Sequence, residues 1–282
     1  MNKILVIGKN GFIAKNLQER DTHYFFTTTN KEDGNSLYLN LQNSEDFDYS
    51  VIDSETSIVF LAAVSSPDEC NNNYEYAYKI NVVGIKHFIQ QALNKGAKVL
   101  FFSSDVVYGN TTKSVDENSS TNPFGNYAKM KDEIEKVFEG ERNFKVFRLS
   151  YVLSKEDKYL SYLHSCIKNK NVAEVFHPFS RKVVYIEDLL DAIENVFNRW
   201  EEFTNQNFNI CGEADISRKD IADFYNEIIG NKLQYETITP NNEFWKARPK
   251  DINIESLYLE KLLNRKPMEI KKALKYIIKG EN

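Results

Sequence analysis

The sequence predicts an α/β fold with a doubly wound parallel sheet and a second, smaller α/β lobe. Short apolar runs alternate with helical segments along the first two thirds of the chain. This alternation is typical of βαβ units, in which helices cover both faces of a parallel sheet. The predicted strands are 3–7, 23–28, 57–63, 98–103, 144–150 and 207–211, and the predicted helices are 11–20, 74–95, 125–139 and 187–200.

The first strand, Lys3-Ile4-Leu5-Val6-Ile7, runs directly into Gly8-Lys9-Asn10-Gly11-Phe12-Ile13-Ala14. A strand that ends in glycine and opens into a helix provides a tight turn, bare backbone and free N–H groups for a pyrophosphate. The alternative is an ordinary turn that needs glycine only for its shape. The N-terminal βαβ context favours a dinucleotide site of the Rossmann type, with Ala14 packed close to the strand.

A second pattern carries the predicted chemistry. The apolar run 99–102 ends in Ser103 and Ser104, and further along the chain Tyr127 stands four residues before Lys131. On a helix this spacing places the phenol and the ammonium on one face. Lowering a phenol pKa from about 10 to about 7 needs roughly 4 kcal/mol, and a charge about 4 Å away supplies about that much. We therefore expect Tyr127 to act as acid/base, with Lys131 as its activator and Ser104 as hydrogen-bonding partner.

The same spacing recurs at Tyr151 and Lys155. This second pair follows an apolar run and is predicted to lie at the end of a strand, where its groups would be roughly 13 Å apart. We interpret it as coincidence.

The predicted domain boundaries follow from the strand pattern. Residues 1–153, with a return segment 183–212, are predicted to form the dinucleotide-binding domain. Residues 154–182 and 213–282 fit the sheet poorly and are predicted to form the substrate-binding lobe.

Composition argues against several other classes of protein. The net charge of −5 provides no basic field for nucleic acid. No apolar run approaches the roughly 18 residues of a membrane span, and the first residues predict a strand rather than a signal peptide. The three cysteines are odd in number and widely spaced, so we expect buried, reduced thiols in a cytoplasmic protein. The four histidines show no metal-ligand spacing, and no metal site is predicted.

Taken in order, the motifs resemble those of extended short-chain dehydrogenases/reductases, and within them the branch of nucleotide-sugar epimerases, dehydratases and reductases. The resemblance covers nearly the whole chain. The matching motifs are Gly8-x-x-Gly11-Phe12-Ile13-Ala14, Leu61-Ala62-Ala63, Asn81-Val82-Val83-Gly84, Ser103-Ser104-Asp105-Val106-Val107-Tyr108-Gly109, Tyr127-x-x-x-Lys131, Arg148-Leu149-Ser150, Arg181 to Leu189, Phe208 to Gly212 and Arg248-Pro249-Lys250-Asp251.

The resemblance implies roles for individual residues. Tyr127 would be the acid/base, Lys131 its activator and a ligand of the nicotinamide ribose, and Ser104 a contact to the reacting oxygen. Substrate would further meet Asp105, and Arg181 and Arg248 would clamp the diphosphate of a sugar nucleotide, a task that suits guanidinium forks. The implied cofactor-binding residues are Gly8, Asn10, Gly11, Phe12, Ile13, Lys31, Asn40, Leu41, Leu61, Ala62, Ala63, Asn81, Tyr127 and Lys131.

The predicted cofactor is NADP(H), with NAD(H) as the alternative. NAD users normally carry an acid at the end of the second strand. Here that strand ends in three threonines, Asn30 and Lys31, which favours a 2′-phosphate. Relatives often have an aspartate where this chain has Asn40, whose amide can still bind adenine.

The residues also discriminate between reactions. Related 4,6-dehydratases carry Asp-Glu after the catalytic hydroxyl, and related 3,5-epimerase-reductases carry cysteine at the position of Val106. This chain has Asp105-Val106, which leaves simple hydride transfer. We expect a reductase of a 4-keto nucleotide sugar similar to the dTDP-4-dehydrorhamnose reductase group. The alternatives are a nucleotide-sugar 4-epimerase and a non-catalytic dinucleotide-binding sensor or partner protein. The resemblance further implies a homodimer, paired through 74–95 and 125–139.

Overall fold

The computed structural model describes residues 3–20, 24–31 and 33–280. The strands are β1 (Lys3–Ile7), β2 (Tyr24–Thr28), β3 (Leu37–Tyr38), β4 (Thr56–Phe60), β5 (Lys98–Ser104), β6 (Phe144–Leu149), β7 (Val152–Leu153), β8 (Ala173–Phe176), β9 (Ser180–Lys182), β10 (Val184–Tyr185), β11 (Asn207–Ile210), β12 (Asp215–Ser217) and β13 (Tyr235–Ile238). The α-helices are α1 (Phe12–Arg20), α2 (Pro67–Asn72), α3 (Tyr74–Tyr78), α4 (Ile85–Asn94), α5 (Asn126–Val137), α6 (Lys158–Asn169), α7 (Ile186–Asn198), α8 (Arg218–Ile228), α9 (Asn242–Trp245), α10 (Leu259–Leu263) and α11 (Ile270–Lys279).

Seven strands form one parallel sheet in the order β11-β6-β5-β4-β1-β2-β3. The predicted α/β class and Rossmann-type sheet are therefore confirmed. The strand order reverses direction between β1 and β4, and such a switch point is where open α/β sheets bind ligands. The six predicted strands all lie in this sheet, although the first residue of the predicted strand 23–28 falls outside the described residues.

Both faces of the sheet are buried, which explains why the strands are apolar without alternation. In β5, Leu100 and Phe102 face a core shared with α1, α7 and α10. Val99 and Phe101 face the opposite core, which contains α4 and α5. Helix α10 belongs to the segment predicted as substrate lobe, but it packs against α7 in the core of the large sheet.

A third core lies between 153–183 and 216–278, where α6, α8 and α11 pack beside short strand pairs. These pairs are β13 with β8, β12 with β9 and β10 with β7. The assignment of 154–182 and 213–282 to a substrate-binding lobe remains a prediction.

The predicted helix 74–95 is present and helical from Tyr74 to Asn94, but its hydrogen-bonding pattern changes along its length. It consists of α3, a wide π turn from Lys79 to Gly84, and α4. Gly84 lies so close to Leu41 that a Cβ at this position would be 1.8 Å from the Leu41 carbonyl oxygen. This tertiary contact requires glycine, and π turns of this kind are frequent at functional sites.

Two further observations concern the chain as a whole. All three cysteines are free and buried, as expected. Within the described residues, no helix combines the length and the apolar character needed to cross a bilayer.

Candidate active site

The glycine turn lies at the switch point of the sheet. Gly8 has φ +105°, and a Cβ on it would meet Ala62 at 3.1 Å, so the backbone after β1 is left bare. The Gly8 N–H donates to Thr27 Oγ1 at 3.2 Å, and Leu61 N–H donates to the Ile7 carbonyl at 3.0 Å. The turn is thus fixed between β2 and the segment that follows β4.

The other predicted members of this turn have different environments. Asn10, Gly11 and Phe12 are exposed at the start of α1, whereas Ile13 and Ala14 are buried against the sheet. The exposed members can contact a ligand, and the buried pair anchors the helix.

Asp33, an acidic residue that was not predicted to belong to the site, lies in the loop that follows β2. The Asp33 carboxylate accepts a hydrogen bond from Lys9 Nζ at 2.6 Å, and Lys9 also donates to Ser36 Oγ at 3.0 Å. The hydrogen bond from Lys9 holds the pKa of Asp33 below its usual value. The predicted Lys31 lies beside it with its ammonium 4.9 Å from the centre of the Tyr38 ring. No local sequence pattern predicts a site role for Asp33, because this residue lies beyond the end of β2 in an irregular loop.

Asn40 and Asn81 both hold backbone. Asn40 Oδ1 accepts from Gln42 N–H at 3.0 Å and caps a short 3₁₀ helix, which includes the buried Leu41. Asn81, fully buried on the π turn, accepts from Val64 N–H at 2.8 Å and donates to the Val64 carbonyl at 2.9 Å. These two bonds fix the backbone at Val64, the end of the segment 61–64 that follows β4, and the cofactor role of Asn81 remains a prediction.

Tyr127 and Lys131 lie on the first turns of α5, on the face that packs against β5. Lys131 is only 3 % exposed, and its ammonium donates to the Phe102 carbonyl at 2.7 Å. The same ammonium lies 5.9 Å from the centre of the half-buried Tyr127 ring. The predicted pair therefore shares one helix face next to the end of β5, where Ser104 stands.

The expected acidification of Tyr127 does not follow from these protein groups. Burial raises the pKa of Tyr127, and the nearby Cys70 and Asp105 raise it further. Burial also lowers the pKa of Lys131 to about 8. The expected lowering of the phenol pKa assumed an ammonium about 4 Å from the phenol. In the structure that ammonium donates to the Phe102 carbonyl, and burial disfavours the charged form of both groups.

Ser104 and Asp105 form the polar end of β5. Ser104 Oγ donates to Asp105 Oδ1 at 3.2 Å, and burial raises the pKa of Asp105 while Arg181 opposes that rise. The other carboxylate oxygen, Asp105 Oδ2, and Ser150 Oγ are buried and have no hydrogen-bond partner among the described residues. The two groups lie near each other, because the Ser150 hydroxyl favours the charged form of Asp105, and together they make the end of β5 polar next to Ser104.

The two predicted arginines have protein partners in the structure. Arg248 makes a two-pronged ion pair with Asp68 at 2.8 and 2.6 Å, which joins α2 to the segment after α9. Arg181 donates instead to main-chain carbonyls, at 2.7 Å to Pro249 and 3.1 Å to Lys250. The structure gives these contacts, and the diphosphate role of either residue remains a prediction.

A third arginine, absent from the prediction, lies near Arg181. Arg218 stacks on Tyr159 at 4.3 Å and donates to the Tyr151 hydroxyl at 3.2 Å. Burial lowers the pKa of Arg181, the charges of Asp105 and Asp251 oppose that lowering, and the positive charge of Arg218 adds to it. No described carboxylate lies within ion-pair distance of Arg181 or Arg218. Only the three-dimensional fold brings this pair together, since no motif contains Arg218.

The second Tyr-x-x-x-Lys pair is divided between different partners. The Tyr151 hydroxyl donates to Asp157 at 2.6 Å, while Lys155 pairs with Glu19 at 2.5 Å on the surface. This supports its interpretation as coincidence. Among the described residues, no group of three His, Cys, Asp or Glu side chains could hold a metal ion.

Several solved structures share this fold. An L-threonine 3-dehydrogenase from Trypanosoma brucei is 16% identical, with a TM-score of 0.83 over 99% of this chain and 97% of the other. A dTDP-4-dehydrorhamnose reductase from Yersinia enterocolitica is 23% identical, with a TM-score of 0.82 over 98% and 99%. A dTDP-4-dehydrorhamnose reductase from Bacillus anthracis str. Ames, in complex with NADP, is 19% identical, with a TM-score of 0.79 over the full length of both chains.

A curated relative matches a smaller part of the chain. The N-acetyl-alpha-D-glucosaminyl-diphospho-ditrans,octacis-undecaprenol 4-epimerase of Escherichia coli O157:H7 is 27% identical over 150 residues. This match spans 48% of the chain and 42% of the relative.

The family model described as RmlD substrate binding domain matches residues 1–282, the whole chain. The chain belongs to this family, within the extended short-chain dehydrogenases/reductases.

Proposed function

We propose that the protein is an NADPH-dependent reductase of a 4-keto nucleotide-diphosphate sugar. The observation that carries this proposal is that Tyr127, Lys131 and Ser104 group at the same edge of the parallel sheet as the bare backbone of Gly8 at the switch point. Val106 follows Asp105 at the position where related dehydratases and epimerase-reductases carry an acid or a thiol. Simple hydride transfer therefore fits the residues best.

The residues at the glycine turn fit a dinucleotide. A side chain on Gly8 would occupy the space beside Ala62, so the turn is open to a pyrophosphate, and the N-terminus of α1 directs free N–H groups there. Asn40 and Leu41 would border the adenine, and Lys131 the nicotinamide ribose. The nicotinamide supplies the hydride when it is bound.

The side chains at the end of β5 and the start of α5 would donate the proton that the reduction requires. In the direction of reduction, Tyr127 protonates the oxygen of the sugar carbonyl as it becomes a hydroxyl, and Ser104 donates a hydrogen bond to the same oxygen. A phenol whose pKa is raised remains protonated at neutral pH, so Tyr127 begins as the acid. The Lys131 charge stabilises the phenolate that remains.

Cofactor preference depends on the end of β2. We expect Lys31 to attract the 2′-phosphate of NADPH, and Lys9 to join it by exchanging Asp33 for the phosphate. The complex of the Bacillus anthracis reductase with NADP supports the choice of a nicotinamide dinucleotide. An Asp33 released from Lys9 would instead accept the ribose hydroxyls of NADH, which keeps NAD(H) as the alternative.

The substrate diphosphate would bind near Arg181 and Arg218, because two neighbouring guanidinium groups that make no direct ion pair with a described carboxylate favour an anion between them. Arg248 is engaged by Asp68 and would reach the diphosphate only after exchanging that partner. The buried carboxylate of Asp105 would accept a hydrogen bond from a sugar hydroxyl.

The runner-up function is a nucleotide-sugar 4-epimerase, favoured by the match to the curated 4-epimerase over about half of the chain. An epimerase must return its hydride to the same substrate and therefore retain its cofactor. A non-catalytic sensor would need neither Ser104 nor the Tyr127–Lys131 pair.

These functions differ in one assay, NADPH consumption with a pool of 4-keto nucleotide sugars. A reductase oxidises NADPH in proportion to substrate. Interconversion of 4-epimers by protein that retains its dinucleotide through purification would indicate the epimerase instead. Cofactor binding without turnover would favour the sensor.

The quaternary structure and location belong to the same proposal. We expect a cytoplasmic homodimer formed through 74–95 and α5, where Tyr74, Tyr76, Val83 and Val137 are exposed. Light scattering on a Tyr76→Glu, Val83→Glu variant tests the dimer.

A further inference from the structure

Glu135 lies one helical turn after Lys131 on α5 and is 7 % exposed. Its carboxylate accepts two hydrogen bonds from Arg148, at 3.0 Å from Nε and 2.7 Å from Nη2. It also accepts a hydrogen bond from the hydroxyl of Ser103, the residue next to Ser104. One buried carboxylate thus connects the helix of Lys131 to the strand that carries Ser104.

The connection continues beyond Glu135 through buried polar groups. Arg148 Nη1 donates to the Tyr108 hydroxyl at 2.7 Å, and that hydroxyl donates to Asn209 Oδ1 at 2.9 Å. Asn209 N–H in turn donates to Glu117 at 2.9 Å. We call Ser103, Glu135, Arg148, Tyr108 and Asn209 the buried network.

Such a network is a poor source of stability, because burying a charged pair costs about as much free energy as the attraction returns. Its geometry is specific, however, since one carboxylate on α5 accepts hydrogen bonds from Ser103 on β5 and from Arg148 on β6. The buried network therefore fixes α5 relative to the end of β5, the two elements that carry Lys131 and Ser104.

Glu135 also faces the charge of Lys131. Burial disfavours the Lys131 ammonium, while the Glu135 carboxylate favours it. The other titratable groups near this ammonium are Tyr127 on α5 and Cys70 on α2, whose thiol pKa is raised to about 11 by burial. Both groups are neutral at pH 7, so the negative charge near Lys131 comes from Glu135, in contact with the positive charge of Arg148 on β6.

We propose that Glu135 is a positioning residue of the active site: it holds the Lys131 helix against the Ser104 strand and keeps the Lys131 ammonium charged. The inference rests on the proposed function for its catalytic consequence, because a charged Lys131 is needed to stabilise the phenolate of Tyr127.

The direct test does not need substrate. Lysine Cε resonances of ¹³C-labelled protein are followed by NMR from pH 6 to 11, with Lys131→Met identifying the Lys131 signal. Glu135→Gln keeps the shape of the side chain and an acceptor for Arg148, and should lower the Lys131 titration midpoint by about one pH unit. The control is Glu133→Gln on the same helix. The Glu133 carboxylate accepts a hydrogen bond from the Tyr78 hydroxyl, so its removal should leave the Lys131 titration midpoint unchanged. An unchanged midpoint in Glu135→Gln would overturn the inference.

The kinetic test follows kcat for NADPH oxidation against pH. Glu135→Gln should shift the alkaline limb of the profile toward lower pH by the same interval, with a smaller effect on the KM for NADPH. A loss of kcat that is equal at every pH would show a merely structural role. If the parent protein turns over no 4-keto sugar, the proposed function fails, and the NMR titration still decides the role of Glu135.

Should Glu135→Gln fold poorly, the double variant Glu135→Gln, Arg148→Gln also removes the Arg148 guanidinium that the single variant leaves in the core without its carboxylate. Its Lys131 midpoint should still lie below that of the parent, and a midpoint at or above the parent value would contradict the inference.

Discussion

Replacing Tyr127 with phenylalanine tests the chemistry with the least disturbance to the fold. The substitution removes one hydroxyl, for which no hydrogen bond to another described residue is recorded, and leaves the half-buried ring in place. We therefore expect a change in the free energy of unfolding within about 0.5 kcal/mol. Loss of a positioned proton donor typically costs about 10²–10⁴ in rate, which corresponds to about 3–5 kcal/mol in the barrier.

The assay is NADPH oxidation with a substrate that the parent protein turns over, combined with calorimetric titration of NADPH and thermal unfolding. Tyr127→Phe should bind NADPH and unfold like the parent while kcat collapses. Tyr151→Phe is the matched control, because it has the same spacing to a lysine but contacts Arg218 and Asp157. It should leave kcat near the parent value and raise only the substrate KM. Substantial kcat in Tyr127→Phe, or a greater loss in Tyr151→Phe, would refute the assignment.

Three further predictions concern cofactor, substrate and stability. NADPH should bind at least several-fold tighter than NADH in calorimetric titrations, and Lys31→Glu should shift the preference toward NADH; equal affinities in the parent would remove the argument. Arg218→Met should weaken binding of a nucleoside diphosphate about tenfold or more, because a charged hydrogen bond contributes about 1.5–3 kcal/mol. Arg248→Met should weaken this binding less, and the reverse order in calorimetry would contradict the Arg181–Arg218 site. Asp105→Asn should raise the melting temperature at pH 7 but not at pH 4. This prediction is contradicted if the stability of the parent protein does not fall between pH 4 and pH 7.

The sign of the Asp105 prediction follows from proton linkage. The pKa of Asp105 is raised in the folded protein, so the unfolded chain loses this proton at lower pH than the folded chain does. Stability contributed by the protonated carboxyl is present below the unfolded pKa of about 3.9 and declines as pH rises through the folded pKa. Asparagine does not titrate, and the decline should disappear with it. The same substitution should lower turnover, since the proposed function assigns Asp105 a contact to substrate.

The sheet could be predicted from sequence because its determinants are local. Most of the strands are short apolar runs, and the run from Val99 to Phe102 is continuous because both faces of β5 are covered. Gly8 stood out because a strand, a glycine and a helix follow one another directly. The placement of Tyr127 and Lys131 on one helix face required only the helical period.

The remaining features depend on contacts between distant segments. The π turn inside the predicted helix 74–95 ends at Gly84, which meets Leu41, and the hydrophobic periodicity of the sequence does not contain that contact. Arg248 is held by Asp68, 180 residues away, so its sequence motif could not reveal that partner. The prediction for the pKa of Tyr127 used a charge and a distance but omitted desolvation, which depends on the burial that only the fold provides.

The central claim is that hydride passes from NADPH to the C4 carbonyl of a nucleotide-linked sugar. The most direct measurement uses NADPH that carries deuterium at the transferred position, followed by NMR and mass spectrometry of the sugar product. The proposed reductase should place one deuterium at C4 for each NADPH oxidised, and Tyr127→Phe should slow this transfer by about 10²–10⁴. A product without deuterium, a change of configuration at C4 without consumption of NADPH, or binding of the cofactor with no product would contradict it.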